Sequence, residues 1–447
     1  MTGLFDGTFA RGGAADAVSD AAWLRALLDV EAALARAAAR CGLVAETAAE
    51  EVARACADPA RLDLVTVLLA AADAGNPVPP LVRALRDAVG PHAAAAVHVG
   101  ATSQDVVDTA LVLLARRAGA VLDADLAAAA ATTARLVADH RDDVLMGRTL
   151  MQQALPTTVG LKAAGWLTGL DGARARLRAV LDALPVQYGG AVGTLAASRG
   201  SGLDLRAGLA AELGLSTTPV PWSTTRLPVA DLAGALATAA GIVATVAVDV
   251  VLLAQSEVAE AAEVAEHRGG SSAMPHKANP VAAISARACA RRAPGLAGTL
   301  FAAMEQEHER AAGAWHSEWP TLTELLRSVG SAASWLAESL ASLRLDTERM
   351  AATAGAAGDP QLARGLAEAL APALGADAAH EAAAAAVRTA AAEGRPLADV
   401  VLARPDVDGA ALVADSAPDV GEAGAQVDAV LAAHLLTVQQ SPPGGAL

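Results

Sequence analysis

Apolar positions recur every three or four residues along almost the whole chain, the period of a helix with one buried face. The run DAAWLRALLDVEAALARAAARC (20–41) shows it first, with Ser19 a good N-cap ahead of it and Gly42 a good stop behind. Much longer patterns follow at 108–140, 229–267, 281–313 and 319–343. Periodic stretches beyond about 25 residues predict helices packed in a bundle or against other subunits. No stretch alternates apolar and polar residues well enough to predict a strand. A softer break falls at ATAGAAGDP (352–360), after which shorter Ala-rich helices are expected to about residue 436. The composition of the final QQSPPGGAL predicts no packed structure.

One segment, LAGALATAAGIVATVAV (232–248), is long and apolar enough to be mistaken for a membrane span. It is built of alanine rather than leucine and runs on through Asp249 without an interfacial belt. Small residues let helices approach closely, so a helix buried inside a bundle is expected.

Composition narrows the function. The net charge of −16 and a pI near 5 offer no basic field to attract phosphates, which excludes nucleic acid and anionic membranes as expected partners. Cys41, Cys56 and Cys289 are too few and too scattered for a disulfide framework or a metal cluster. The opening MTGLFDGTFARGGAAD lacks a basic start followed by an apolar run, so a cytoplasmic protein is expected. Alanine-rich, lysine-poor composition is background, and residue types that it suppresses stand out. The chain has two lysines, Lys162 and Lys277, and two asparagines, Asn76 and Asn279. One of each sits in GGSSAMPHKANP (269–280), a loop of glycines, hydroxyls, an imidazole, an ammonium and a carboxamide. Such a loop suits closure over a bound molecule, although Gly, Ser, Pro and Asn are also ordinary turn residues. The other interruptions of the helical pattern are HVGATSQD (98–105), GRTLMQQALP (147–156), YGGAVGTLAASRG (188–200) and TTPVPWSTTRLP (217–228).

GSSAMPHKANP resembles the signature loop GSSxMPxKxNP of the fumarase/aspartase superfamily, which includes adenylosuccinate and argininosuccinate lyases. HVGATSQD and GRTLMQQALP are similar to that superfamily's first and second signature regions, in the same order, and the likeness covers roughly residues 1–435. VHVGATSQDVVDTAL, LPTTVGLKAAGWL, QYGGAVGTLA and TLFAAMEQEHERAAGAWHSEW most resemble the 3-carboxy-cis,cis-muconate cycloisomerases of protocatechuate breakdown.

The resemblance implies an all-α fold of three helical domains: 1–107, a central long-helix bundle over 108–350 and a C-terminal domain over 351–447. It further implies a homotetramer whose sites are shared between subunits, a small anionic carboxylate as substrate, and no cofactor. A metal is not expected either, since His308 and His316 lack a third ligand. The implied chemistry passes through an aci-carboxylate, whose developing charge demands electrostatic stabilisation in a dry site. Ser271 is the implied proton carrier, with Lys277 and Asn279 stabilising the carboxylate. The implied anchors for the remaining carboxylates are His98, Thr102, Ser103, Arg148, Thr149, Gln152, Arg226, Ser272, Met274, His276, Arg310 and His316. Arg148 and Arg310 also suit helix-surface ion pairs. Thr102 and Ser103 also suit a helix N-cap ahead of VVDTALVLL.

Three positions depart from the resembled pattern. Leu150 stands where many superfamily lyases have His, and Ala278 and Leu227 stand where cations are common in this subfamily. Without that His, a site is poorly equipped to expel an amine, whereas a carboxylate enters or leaves without a proton. Lactonisation of 3-carboxy-cis,cis-muconate to 4-carboxymuconolactone is therefore the expected activity. The alternative is a C–N or related β-elimination from a substituted succinate, adenylosuccinate-like or other, to release fumarate.

Overall fold

The computed structural model describes residues 3–59, 62, 64–265, 269–270, 274, 277–356, 358–414 and 418–439. Two single-turn helices, α1 (Asp6–Phe9) and α2 (Gly13–Asp16), lead into α3 (Asp20–Arg40), α4 (Glu46–Ala57), α5 (Leu64–Ala74) and α6 (Val78–Ala88). Ser19 caps α3 through its side chain, and the chain turns at Gly42 in the left-handed region, both as the sequence predicts.

The centre of the molecule is an up-and-down bundle. Helix α7 (Ser103–Asp139) runs one way. A hairpin, β1 (Val144–Thr149) and β2 (Gln152–Thr158), reverses the chain, and α8 (Val159–Ala183) returns. After α9 (Gly202–Leu213), α10 (Leu227–Leu253) runs parallel to α7: Arg226 at its start pairs with Asp108 near the start of α7, and Asp249 near its end pairs with Lys162 near the start of α8. A short strand β3 (Ala261–Glu263) then precedes α11 (Val281–Ala290) and α12 (Ala293–Ala302), which come back down. Helix α13 (Ala314–Ser342) runs up again to β4 (Leu343–Leu345), the antiparallel partner of β3. The seams are made largely of alanine: Ala118, Ala129 and Ala130 on α7, Ala163 and Ala164 on α8, and Ala233, Ala239, Ala240 and Ala247 on α10 are all buried.

The last helices, α14 (Thr347–Ala356), α15 (Gly358–Leu374), α16 (Ala376–Glu393), α17 (Leu397–Leu402) and α18 (Gly409–Ala414), include a cluster with its own core around Leu366, Leu370 and Leu397. Helix α19 (Ala423–Gln439) leaves that cluster and packs on α8, where His434 Nδ1 lies 2.8 Å from Asp171. The tail beyond Gln439 lies outside the described residues.

Helix α10 has the length and hydropathy of a membrane span. Here its inward face is core, and its Asp249 is engaged by Lys162 at 3.0 Å and by the Trp166 indole N–H at 2.7 Å. Its outward face is small: Gly234 is half-buried, and Thr238, Gly241 and Thr245 are exposed.

Four sequence expectations need correction. The pattern 229–267 predicts continuous helix, but α10 ends at Leu253. Ala259 takes a left-handed φ of 52°, Glu260 is drawn under Arg148, and the next three residues pair with β4. Tertiary pairing overrides the helical propensity of AEAAEVAE. The pattern 281–313 divides at Arg291–Arg292, because Pro294 starts a new helix, and it gives way to loop after Ala302. Helix α13 begins five residues before Trp319 and carries Pro320 inside it; buried Trp315 and Glu318 hold that first turn. Finally, GRTLMQQALP lies largely within a β-hairpin. Its turn residues Leu150 and Met151 both have positive φ, 50° and 67°, a conformation that hairpins usually fill with Asn-Gly.

Candidate active site

The segments with site-like sequence fall into two groups at opposite ends of α7. At its N-terminal end, Thr102 is the N-cap and Asp105 reaches back to accept from the Thr102 N–H at 3.0 Å. The same carboxylate accepts from Gly189 N–H at 3.0 Å and Gly190 N–H at 2.9 Å, which ties the 98–105 loop to the 188–200 loop. Burial pushes Asp105 up to about 6, although these N–H donors and the nearby Arg310 pull the other way. Gly100 has a φ of 65°, and a Cβ there would fall 2.5 Å from the Tyr188 hydroxyl, so only glycine lets the two loops meet.

His98 joins this group, with its ring 2.7 Å from buried Glu31 and its backbone N–H bonded to the same carboxylate. Burial lowers the pKa of His98, but the Glu31 hydrogen bond and charge outweigh it and raise it on balance. Arg310 donates to Gln104 Oε1 at 2.8 Å and to the Ala191 carbonyl at 2.8 Å. His316 is exposed, with its ring against Trp315 and Trp319. Ser103 opens α7, where helix N–H groups are unpaired.

Arg226 has a different role from the expected anchor. Its side chain is wholly buried between Asp108, at 2.8 Å, and Glu318, at 2.6 Å, and Trp315 Nε1 donates to Asp108 as well. This network locks the starts of α7, α10 and α13 together and leaves no guanidinium N–H for a ligand.

The second group lies at the other end. Arg148 on β1 makes a two-pronged pair with buried Glu260, at 2.8 and 2.7 Å. Thr149 and Gln152 face each other in register beside the hairpin turn, both exposed. Beneath them lies a cavity of about 450 Å³ lined by Arg148, Thr149, Lys162, Asp249 and Gln255. Next to it a cavity of about 1020 Å³ is lined by Gln255, Lys277, Asn279, Ile284 and Arg344. Lys277 is exposed, as is Met274, whose carbonyl accepts the Lys277 N–H at 3.0 Å. Asn279 donates twice to the Gly269 carbonyl, from its backbone N–H at 2.9 Å and from Nδ2 at 2.8 Å. Ser271, Ser272 and His276 lie outside the described residues.

Helix α7, with 37 residues at about 1.5 Å each, is about 55 Å long, and the two groups lie towards its opposite ends in one chain. One protomer brings Arg148, Thr149, Gln152, Lys277 and Asn279 to one end and His98, Thr102, Ser103, Arg310 and His316 to the other.

The family model described as lyase matches residues 13–295. The chain belongs to that family. As an enzyme of the fumarase/aspartase superfamily, it is 43% identical over 443 residues to the 3-carboxy-cis,cis-muconate cycloisomerase of Pseudomonas aeruginosa, covering 96% of each chain. It is 44% identical over 403 residues to the nitrosuccinate lyase of Streptomyces davaonensis, covering 88% of this chain and 85% of the relative. Among solved structures, the 3-carboxy-cis,cis-muconate lactonizing enzyme from Pseudomonas putida superposes with a TM-score of 0.89 at 37% identity, over 97% of this chain and 99% of that one. The all-α, fumarase-like architecture expected from the sequence is the architecture of the enzyme.

Sequence reasoning missed Glu260, Glu263, Asp108 and Glu318. The two glutamates at 260 and 263 sit in an E-x-x-E run that reads as helix surface, but Glu260 is buried against Arg148 and half-buried Glu263 is bonded to α11 and Ser339, partners far away in sequence. Asp105 lay within a recognised motif, and its place three residues after a candidate N-cap was the signal for its capping role.

Proposed function

We propose that the enzyme closes 3-carboxy-cis,cis-muconate to its lactone through an aci-carboxylate. In this reading one carboxylate oxygen adds across the diene, and Ser271 delivers a proton to the carbon α to another carboxylate. Lys277 offsets the charge that develops there. The observation that carries the reading is the hairpin tip. Where superfamily relatives can offer an imidazole, this enzyme presents Leu150 and Met151, 96% and 70% exposed and without a titratable group. Such a tip suits a group that enters or leaves without needing a proton, and a carboxylate is one.

We further propose a homotetramer. The length of α7, which keeps the two groups of site residues at opposite ends, supports sites assembled from several copies, and the small outward face of α10 supports close helix packing between them.

A second reading is favoured by the cations missing or already paired at expected positions among the described residues. Ala278 and Leu227 carry no charge, Arg226 is locked between two carboxylates, and Arg148 is paired with Glu260. A dicarboxylate asks for fewer cations than a tricarboxylate. Elimination of nitrite from nitrosuccinate, giving fumarate, also needs no proton on its leaving group.

The test runs both substrates on one preparation. Loss of diene ultraviolet absorption from carboxymuconate, abolished in Ser271→Ala, supports lactonisation. Release of nitrite and fumarate from nitrosuccinate, without diene turnover, assigns the elimination instead. Absence of both, in folded oligomeric enzyme, refutes the proton-free chemistry.

A further inference from the structure

We propose that Glu263 is the positioning residue for Lys277 and Asn279, an inference that rests on those two side chains serving the substrate as read above. Glu263 ends β3, and its carboxylate accepts from three donors on two other elements. Oε2 takes the Ala282 N–H at 2.9 Å, and Oε1 takes the Ala283 N–H at 2.8 Å and the Ser339 hydroxyl at 2.6 Å. The first two are free donors at the start of α11, which every helix must satisfy from outside its own ladder. The residue before α11, Pro280, offers no side-chain cap. Glu263 thus caps α11 from a distance and places a negative charge at the positive end of the helix dipole.

Two residues upstream of α11, Asn279 closes the segment with its paired bonds to the Gly269 carbonyl. Gly269 has a φ of 83°, and a Cβ there would fall 2.5 Å from the Asn279 carbonyl oxygen, so the pinch admits only glycine. Asn279 therefore closes the loop with one of its two Nδ2 hydrogens, and Lys277 lies inside that loop, two residues before Asn279 and five before the first backbone N–H that Glu263 holds. Glu263 is itself held. It pairs in register with Leu343, the Val264 N–H bonds the Ser342 carbonyl at 2.9 Å, and Glu260, three residues before, is clamped by Arg148. The hairpin, the β3–β4 ribbon and the start of α11 form one connected frame for the ammonium group. With the helix end already neutralised by Glu263, an incoming anion finds Lys277 rather than the α11 terminus as its counter-charge.

An amide cannot substitute. Gln at 263 has one acceptor oxygen, and its NH₂ would face a backbone N–H. The experiment compares Glu263→Gln, of nearly the same shape, with Ser339→Ala, which keeps both helix contacts. Hydrogen exchange of the 277–290 peptide is read alongside kcat and KM. The expected result for Glu263→Gln is faster exchange at Ala282 and Ala283 and a fall in kcat of about 100-fold, the scale of a misplacement near 1 Å. KM should change little, since the loss falls on charge that develops in the transition state. Ser339→Ala should lower the melting temperature and keep kcat. Unchanged exchange in Glu263→Gln overturns the proposal, as does faster exchange with kcat intact. If wild-type enzyme turns over neither substrate, the functional reading fails, and the exchange measurement still decides whether Glu263 holds the segment.

Discussion

Replacing Arg226 with methionine separates an anchor for substrate from an anchor for the fold. The guanidinium is wholly buried and bonded to Asp108 and Glu318, which are wholly buried as well. Methionine fills much of the volume but leaves two carboxylates facing each other without a cation. Breaking a buried pair by removing one partner costs about 3–5 kcal/mol. At roughly 2 °C per kcal/mol, toward the low end for large chains, the melting temperature should fall by about 6–10 °C. The loss should depend on pH in a definite direction. Burial already pushes the Glu318 carboxyl up, with Arg226 pulling against it. Without Arg226 the Glu318 carboxyl moves further up, and a carboxyl raised in the folded state loses stability as pH rises through its folded value. The deficit of the variant should therefore be smaller at pH 5 than at pH 8. Differential scanning fluorimetry across that range, with KM measured at 25 °C, is the assay. A melting temperature within a degree of wild type at pH 8, combined with a large rise in KM, would refute the reasoning and return Arg226 to the substrate.

Other consequences are simpler to read. Asp105, raised to about 6 by burial, should make wild type lose stability relative to Asp105→Asn as pH climbs from about 4 to 7, because the shared N–H contacts do not fully offset the desolvated charge; an identical pH profile for the two proteins would contradict this. Lys277→Met should abolish turnover and leave the melting temperature unchanged, since Lys277 is exposed and forms no ion pair among the described residues. Replacing Leu150–Met151 by Asn-Gly should relieve two left-handed residues, at about 1 kcal/mol each, and raise the melting temperature slightly; a lower melting temperature would show that the exposed side chains are held by a second subunit. Native protein should expose one thiol to alkylation, Cys41, because burial pushes Cys289 up to about 11 and Cys56 up to about 12.

The sequence made the long helices legible because their apolar period persists for tens of residues, and the Ser19 and Thr102 starts because capping is a local event. The ends of those helices were not legible. Where α10 stops is decided by Arg148, more than a hundred residues earlier, taking hold of Glu260. Where α13 starts is decided by Trp315 and Glu318 finding Asp108 and Arg226. The hairpin escaped notice because Leu-Met occupies a turn that normally announces itself with Asn-Gly. At the site, motif residues stood out by rarity, as Lys277 and Asn279 do, but rarity carries no geometry. It could not tell an arginine that faces a cavity from Arg226, which faces two acids, and it passed over Glu263 because glutamate is common on this chain.

The alanine seams of the bundle set what kinds of change the enzyme tolerates. Alanine has no rotamers to freeze, so ordering this core restricts backbones and little else. It also has nothing to fold aside. At Gly330 an added Cβ would come 2.3 Å from the Cβ of Ala14, and at Gly119 it would come 2.5 Å from Leu181. Leucine can swing away at the second position, but a methyl fixed to the backbone cannot at the first. A random-substitution library would then find its dead positions where the wild-type side chain is smallest, and one methyl gained would harm this bundle more than one methyl lost.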